Sequence, residues 1–162
     1  MTNRPLHRIK TISEFHAYKG LPKPEHPLVS LIPFEKVEAE KGEQFFVNDY
    51  YAIALKRNFN GKMKYGQQEY DFDEGVMLFT APGQVYSIEA TSPLEHSGWL
   101  LLIHPDFLWN TSLAKKIQHY EYFSYAVNEA LHLSEKEEAM ITDLLNISNG
   151  NTRAISTSLA RM

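Results

Sequence analysis

The pattern of apolar and polar positions divides the chain into a β-rich part and a helical part. Between residues 45 and 103, short runs rich in aromatic and β-branched residues alternate with turn signals, as in QFFVNDYYAIALKRNF, GVMLFTA, VYSIEA and GWLLLIH. Many short strands at close spacing are typical of a β-sandwich or β-barrel. PLVSLIPF (27–34) predicts one more strand, and Asn60-Gly61 predicts a hairpin turn between two strands.

After His104 the pattern becomes helical. The stretch LSEKEEAMITDLLNIS begins with the capping box Ser134-x-x-Glu137, which predicts a helix over 134–147. The apolar residues of this helix form one stripe: Met140, Ile141, Leu144 and Leu145. This stripe is either a dimerisation surface or the face that packs onto the chain's own β-domain.

These patterns give a single domain with four consecutive parts. Residues 1–27 form a proline-rich N-terminal arm, in which GLPKPEHP (20–27) is incompatible with a helix interior. Residues 28–104 form the β-domain, and residues 105–149 form a helical segment for dimerisation or linkage. Residues 150–162 are a polar tail.

Composition and charge exclude several classes of protein. The chain has no cysteine, which excludes disulfides, thiolate catalysis and cysteine-ligated metal sites. Its net charge of -4 and scattered basic residues do not favour DNA binding by this chain itself. It has neither an apolar run of bilayer length nor a secretory signal, so we expect a cytoplasmic protein with no membrane association.

The chemistry needed for catalysis or metal binding is poorly represented. The seven histidines show neither H-x-H nor H-x-x-x-H spacing, and there is no Gly-x-Ser-x-Gly elbow or phosphate loop. Asp71, Asp73 and Glu74 fall in a predicted turn, where acids commonly act as turn formers. We therefore expect no catalytic residues, no metal and no cofactor.

Aromatic residues in the β-region favour a pocket for a small organic molecule. Tyrosine and tryptophan bury apolar area while keeping a polar group available to a ligand. Tyr65 and Gln67 share one face of a predicted strand, and Tyr86 and His96 could exchange hydrogen bonds with a ligand. The alternative is that the aromatic rings simply fill the core.

Specific phrases of the chain resemble a known family. DEGVMLFTAPGQVYSI is similar to the second conserved stretch of cupins. YGQQEYDFDEGVMLFTAPGQ, HSGWLLLIHPDFLWNTSLAKKI and YFSYAVNEALHLSEKEE resemble the N-terminal sensing domain of AraC-type transcription regulators, in its Bacteroidetes-like branch. The resemblance covers roughly residues 6 to 146.

The resemblance implies a mainly β fold, a cupin-like antiparallel β-barrel with C-terminal α-helices. It also implies binding of a small effector, a homodimer, and DNA binding only through a C-terminal domain that this chain does not contain. Trp99 lies where sugar-sensing members of the family have a ring-stacking tryptophan. The metal-binding cupins carry H-x-H before the position of Asp71 and a further histidine where this chain has Tyr86. That departure also argues against a metal.

We therefore expect a small-molecule-sensing and dimerisation domain that is not an enzyme. The effector would bind at Tyr65, Gln67, Tyr86, His96 and Trp99, and the N-terminal arm would act as a movable lid. The net negative charge slightly disfavours a strongly anionic effector, unless local pocket charge overrides it. The alternatives are a small cupin enzyme, an isomerase or dioxygenase, and a dimerisation platform without effector.

Overall fold

The computed structural model describes residues 5–38, 40–58, 62–65, 68–70, 75–90, 95–124 and 131–149. The strands are β1 (Leu6–Ile9), β2 (Val29–Pro33), β3 (Gly42–Asn48), β4 (Tyr51–Arg57), β5 (Lys62–Tyr65), β6 (Gln68–Tyr70), β7 (Val76–Thr80), β8 (Val85–Ala90), β9 (Ser97–Ile103) and β10 (Leu131–His132). The helices are α1 (Ile12–Tyr18), α2 (Ser112–Lys116), α3 (Glu121–Ser124) and α4 (Glu135–Asn149), with short 3-10 helices at Phe34–Lys36, Pro105–Leu108 and Ile117–His119.

The strands form two five-stranded sheets. The first has the order β1-β3-β8-β5-β6 and the second the order β10-β7-β4-β9-β2. β1 runs parallel to β3, and the other described strand pairs are antiparallel. The prediction of a mainly β fold is confirmed, and two such sheets are consistent with a β-sandwich. The cupin-like barrel stays a prediction.

The predicted hairpin between β4 and β5 is wrong. Asn60-Gly61 itself lies outside the described residues, but the strands on either side belong to different sheets. Both edges of β4 are already occupied, by β7 and by β9, so β4 has no free edge for β5. β5 pairs instead with β6 and β8.

The main core lies between the two sheets. The first sheet contributes Phe46 and the second Ala54, Leu78 and Leu100. Ile12 of α1 is completely buried in the same cluster, so the helix of the N-terminal arm belongs to the core. Helix α1 therefore packs as part of the core.

A second apolar cluster covers the outer face of the second sheet. Tyr51 and Ile103 pack there against Leu108, Leu113 and Ile117 from the helical segment. Because β4 is covered on both faces, its residues are nearly all buried, and the alternating pattern of a half-exposed strand is absent.

Helix α4 begins at the predicted capping box. The Ser134 backbone N–H donates to Glu137 Oε2 at 2.9 Å, and the Glu137 N–H donates to Ser134 Oγ at 3.4 Å. Near this end, Glu138 forms an ion pair with Arg57 of β4. Among the described residues no helix, α4 included, is long and apolar enough to cross a membrane.

Candidate ligand-binding cavity

A cavity of about 70 Å³ lies between the two sheets. Aromatic and aliphatic side chains form most of its wall, and a few polar groups face the same space. The apolar lining includes Phe15, Phe34, Phe46, Ala52, Ala54 and Leu100, and the polar lining consists of Lys19, Glu38, Lys56, Thr80, Tyr86 and His96. An apolar wall with a few polar groups is the usual composition of a small-molecule site.

Small residues at the centre of the second sheet leave this space open. Ala52 and Ala54 occupy successive inward positions of β4, where a leucine or phenylalanine would extend into the cavity. Thr80 of β7 lies opposite Ala52 in the strand register and also faces the cavity. The volume thus follows from side-chain size on two adjacent strands.

Lys56 is the next inward residue of β4 after Ala54. Its side chain is only 3% exposed, and its Nζ lies 5.1 Å from the ring centroid of Phe34. Burial, together with the nearby positive charge of Lys19, lowers the pKa of Lys56 from 10.5 to about 7. Both protonation states of this amine are therefore populated near neutral pH.

His96 faces the same cavity from the segment before β9. Its Nε2 lies 2.9 Å from the Val37 carbonyl oxygen, and its ring lies 5.1 Å from that of Phe34. A carbonyl only accepts, so Nε2 carries the proton and donates it. Burial lowers the pKa of His96, which favours the neutral imidazole.

Tyr86 of β8 supplies a hydroxyl on the first sheet. This oxygen accepts a hydrogen bond from Asn48 Nδ2 at 3.1 Å, and the ring stacks on Phe46 with centroids 5.5 Å apart. Burial raises the pKa of Tyr86 to about 12, so the phenol keeps its proton at physiological pH.

Phe15 of helix α1 and Lys19, the C-cap residue of this helix, close one side of the cavity. Thr11 caps the helix by accepting a hydrogen bond from the Glu14 N–H at 3.1 Å. His16 Nε2 lies 2.9 Å from Ser30 Oγ of β2, which ties the helix to the second sheet. The Lys19 Nζ lies 5.0 Å from the Tyr18 ring centroid, and burial lowers the pKa of Lys19.

The structure brings two of the five predicted effector-binding residues to the cavity, Tyr86 and His96. Trp99 does not line it. Leu100 points into the cavity, so alternation along β9 places Trp99 on the opposite face of the sheet. Tyr65 lies beside Tyr86 in the β5–β8 register, but its side chain is outside the described part, as is all of Gln67.

Sequence reasoning missed Lys56, Lys19 and Phe15. Lys56 faces inward together with Ala52 and Ala54. In a strand every second side chain points to the same face, so the sequence YAIALKR places these three residues on one face. For Phe15, the capping pattern Thr11-x-x-Glu14 marked the helix that carries it. Both signals were available in the sequence.

The acids and histidines of the described ranges do not cluster. No group of three or more His, Asp or Glu side chains comes together there in a way that could hold a metal ion. Asp71, Asp73 and Glu74 lie outside those ranges.

The predicted dimerisation stripe on α4 divides into two sides. Met140 and Leu144 are 58% and 62% exposed, together with Ile147 at 71%. Ile141 and Leu145 are half-buried. The exposed side therefore presents apolar residues at intervals of four and three positions, along one line of the helix.

Comparison of the chain with protein-family models, with curated proteins and with solved structures finds no match.

Proposed function

We propose that this chain is the effector-sensing and dimerisation domain of an AraC-type transcription regulator, built on a cupin-like β-fold. It acts as a binding module and not as an enzyme. The observation that carries the proposal is the cavity between the sheets, with its apolar wall and the polar groups of Lys56, Tyr86 and His96. The phrases resembling the family agree with it.

The N-terminal arm couples ligand binding to a change of state. Phe15 of α1 and Lys19, the residue that caps the end of this helix, form part of the cavity wall, so a ligand touches the arm as well as the sheets. A ligand that contacts docked α1 binds the docked state more tightly and shifts the population towards it. The positions of β1 and α1 thus depend on whether a ligand occupies the cavity.

Helix α4 links the ligand-bound or ligand-free state of one chain to a second copy of the chain, which it contacts in a dimer. The line formed by Met140, Leu144 and Ile147 is apolar and exposed, and a contiguous exposed apolar patch is typical of an interaction surface. A symmetric dimer would bury the same line from both subunits. DNA binding would reside in a C-terminal domain that follows this helix.

A cavity-filling variant tests the binding site. In Ala54→Leu the added side chain occupies the cavity, at an overpacking cost of about 1 to 3 kcal/mol. Metabolites are screened by thermal unfolding, and a ligand of the cavity raises the Tm of the wild type but not of the variant. Ala52→Val is the second variant if Ala54→Leu unfolds. Ligands that stabilise all three proteins equally would contradict the proposed site.

A further inference from the structure

The strand register gives the cavity two ends of different chemistry. Ala52 and Lys56 both face inward on β4, and they lie four residues apart, a distance of about 13 Å along the strand. Thr80 of β7 lies opposite Ala52. Gly98 lies opposite Lys56, so His96, two residues before it, belongs to the Lys56 end. Thr80 therefore marks the end of the cavity that is remote from Lys56 and His96.

Tyr86 belongs to the same end as Thr80. It is the second residue of β8, which follows β7 after a short connection. The connection between β3 and β4 lies there too, because the Gly83 N–H donates to the Asn48 carbonyl oxygen at 2.8 Å. Thr80 and Tyr86 both line the cavity. We call these two residues the hydroxyl end.

Asn48 determines which hydrogen bond the Tyr86 hydroxyl can still make. Asn48 is 1% exposed, and its Nδ2 donates to the Tyr86 oxygen at 3.1 Å. The phenol oxygen is thus already an acceptor, and its own O–H proton is the group that can be given to a ligand. Burial raises the pKa of Tyr86 to about 12, so that proton is retained at physiological pH. Stacking on Phe46 holds the ring in place.

We infer that the cavity takes a small neutral carbonyl compound with a short aliphatic body. Its carbonyl oxygen accepts the Tyr86 O–H, and the Thr80 hydroxyl is a second donor at the same end. Its body packs against Ala54 and Leu100 in the apolar part of the wall. This inference rests on the proposed function and names the ligand class.

The wall and the volume argue for this class over a sugar or an ion. A sugar carries hydroxyls on every side, and those facing Phe34, Leu78 and Leu100 would lose their hydrogen bonds to water. An ionised group at the hydroxyl end would lose its hydration to two uncharged partners. An engineered cavity that holds benzene measures about 150 Å³, so the 70 Å³ here suits a smaller molecule. One carbonyl on a short chain satisfies these conditions.

The test compares methyl acetate with n-pentane, two probes of equal heavy-atom number, by NMR titration of the wild type and of Tyr86→Phe. The variant keeps the ring and removes the hydroxyl. Methyl acetate should bind the variant about fivefold more weakly than it binds the wild type, whereas the affinity for pentane should not change. An ester is used because, unlike a ketone, it does not form an imine with the amine of Lys56.

Two further variants make the comparison specific. Tyr18→Phe is the matched control, since the Tyr18 hydroxyl donates to Gln44 Oε1 at 3.1 Å and Tyr18 does not line the cavity. It should leave both affinities unchanged. Tyr86→Phe leaves the Asn48 amide without its partner, which costs stability. If that variant unfolds, Asn48→Leu is added to it, and the double variant should show the same selective loss of methyl acetate binding.

Three results would overturn the inference. One is methyl acetate that does not bind the wild type, and another is an equal loss of both probes in Tyr86→Phe. The third is an unchanged affinity for methyl acetate in that variant. In that case the Tyr86 proton is donated within the protein, to the buried Asn48 Oδ1, which has no hydrogen-bond partner among the residues that the structure describes.

The proposed function would survive these results if a molecule of another class bound the wild type and was excluded by Ala54→Leu.

Discussion

At the scale of single residues, the chemistry of the cavity centres on an amine inside an apolar wall. Lys56 is 3% exposed, and its neighbour His96 donates from Nε2 to the Val37 carbonyl while burial lowers the pKa of His96 and favours its neutral form. A core built only for stability would place an apolar side chain at position 56, because burying a charge costs folding free energy. The buried lysine therefore lowers stability relative to an apolar side chain at the same position.

Lys56→Met should stabilise the protein most at neutral and lower pH. The unfolded lysine binds its proton up to pH 10.5, whereas the folded one releases it above about pH 7. The unfolded state thus holds more protons in this range, and the stability of the wild type rises with pH by up to about 1.4 kcal/mol per pH unit. Urea denaturation of both proteins between pH 7 and 9 should show the advantage of Lys56→Met shrinking.

The matched control is Lys64→Met, whose stability relative to wild type should change little over the same range, since Lys64 is partly exposed. An advantage of Lys56→Met that stays constant with pH would contradict the account of Lys56.

At the scale of elements, a glycine sets how closely β9 approaches β4. Gly98 has φ +111°, and a Cβ placed on it would lie 2.0 Å from the Leu55 carbonyl oxygen. Gly98 lies opposite Lys56 in the strand register. The glycine is therefore required for the strand pairing that positions the lysine.

Gly98→Ala should cost about 3 kcal/mol or more, because both the backbone conformation and the clash with backbone atoms oppose it. Gly20→Ala is the matched control. Gly20 also has a positive φ, of +65°, but a Cβ there meets nothing within 4 Å. Its cost should be only about 1 to 2 kcal/mol. Chemical denaturation measures both, and equal costs would contradict the close approach at Gly98.

The elements also show what sequence can and cannot predict. Local signals succeeded where the structure is local: Ser134-x-x-Glu137 marks the start of α4 as observed. Pairing between distant strands is not local, so Asn60-Gly61 suggested a hairpin although β4 is paired on both edges. The register of β9 likewise decides that Leu100 and not Trp99 faces the cavity. A shift of one residue would exchange them.

At the scale of the whole molecule, the proposal joins three parts: the cavity, the arm that closes it and the exposed line on α4. Lys19 and Phe15 connect the first two by direct contact with the cavity. The Arg57–Glu138 ion pair joins α4 to β4 of the second sheet. Lys56, the cavity lysine, directly precedes Arg57 on that strand.

Met140→Glu combined with Leu144→Glu should convert a dimer into a monomer. Charges placed in an apolar interface lose their hydration, so the dimer Kd should rise by more than about tenfold. Asn146→Glu adds charge on another side of the same helix and is the control. Analytical ultracentrifugation measures both. A double variant that remains as dimeric as the wild type would exclude this line as the interface.

Native mass spectrometry of the purified chain, with a denatured sample for the intact mass, tests the central claim most directly. It reports subunit number, bound metal and any co-purified organic molecule in one experiment. The account predicts a metal-free dimer that carries a small organic molecule lost on denaturation. A monomer with one transition metal per chain would contradict it and favour the cupin enzyme.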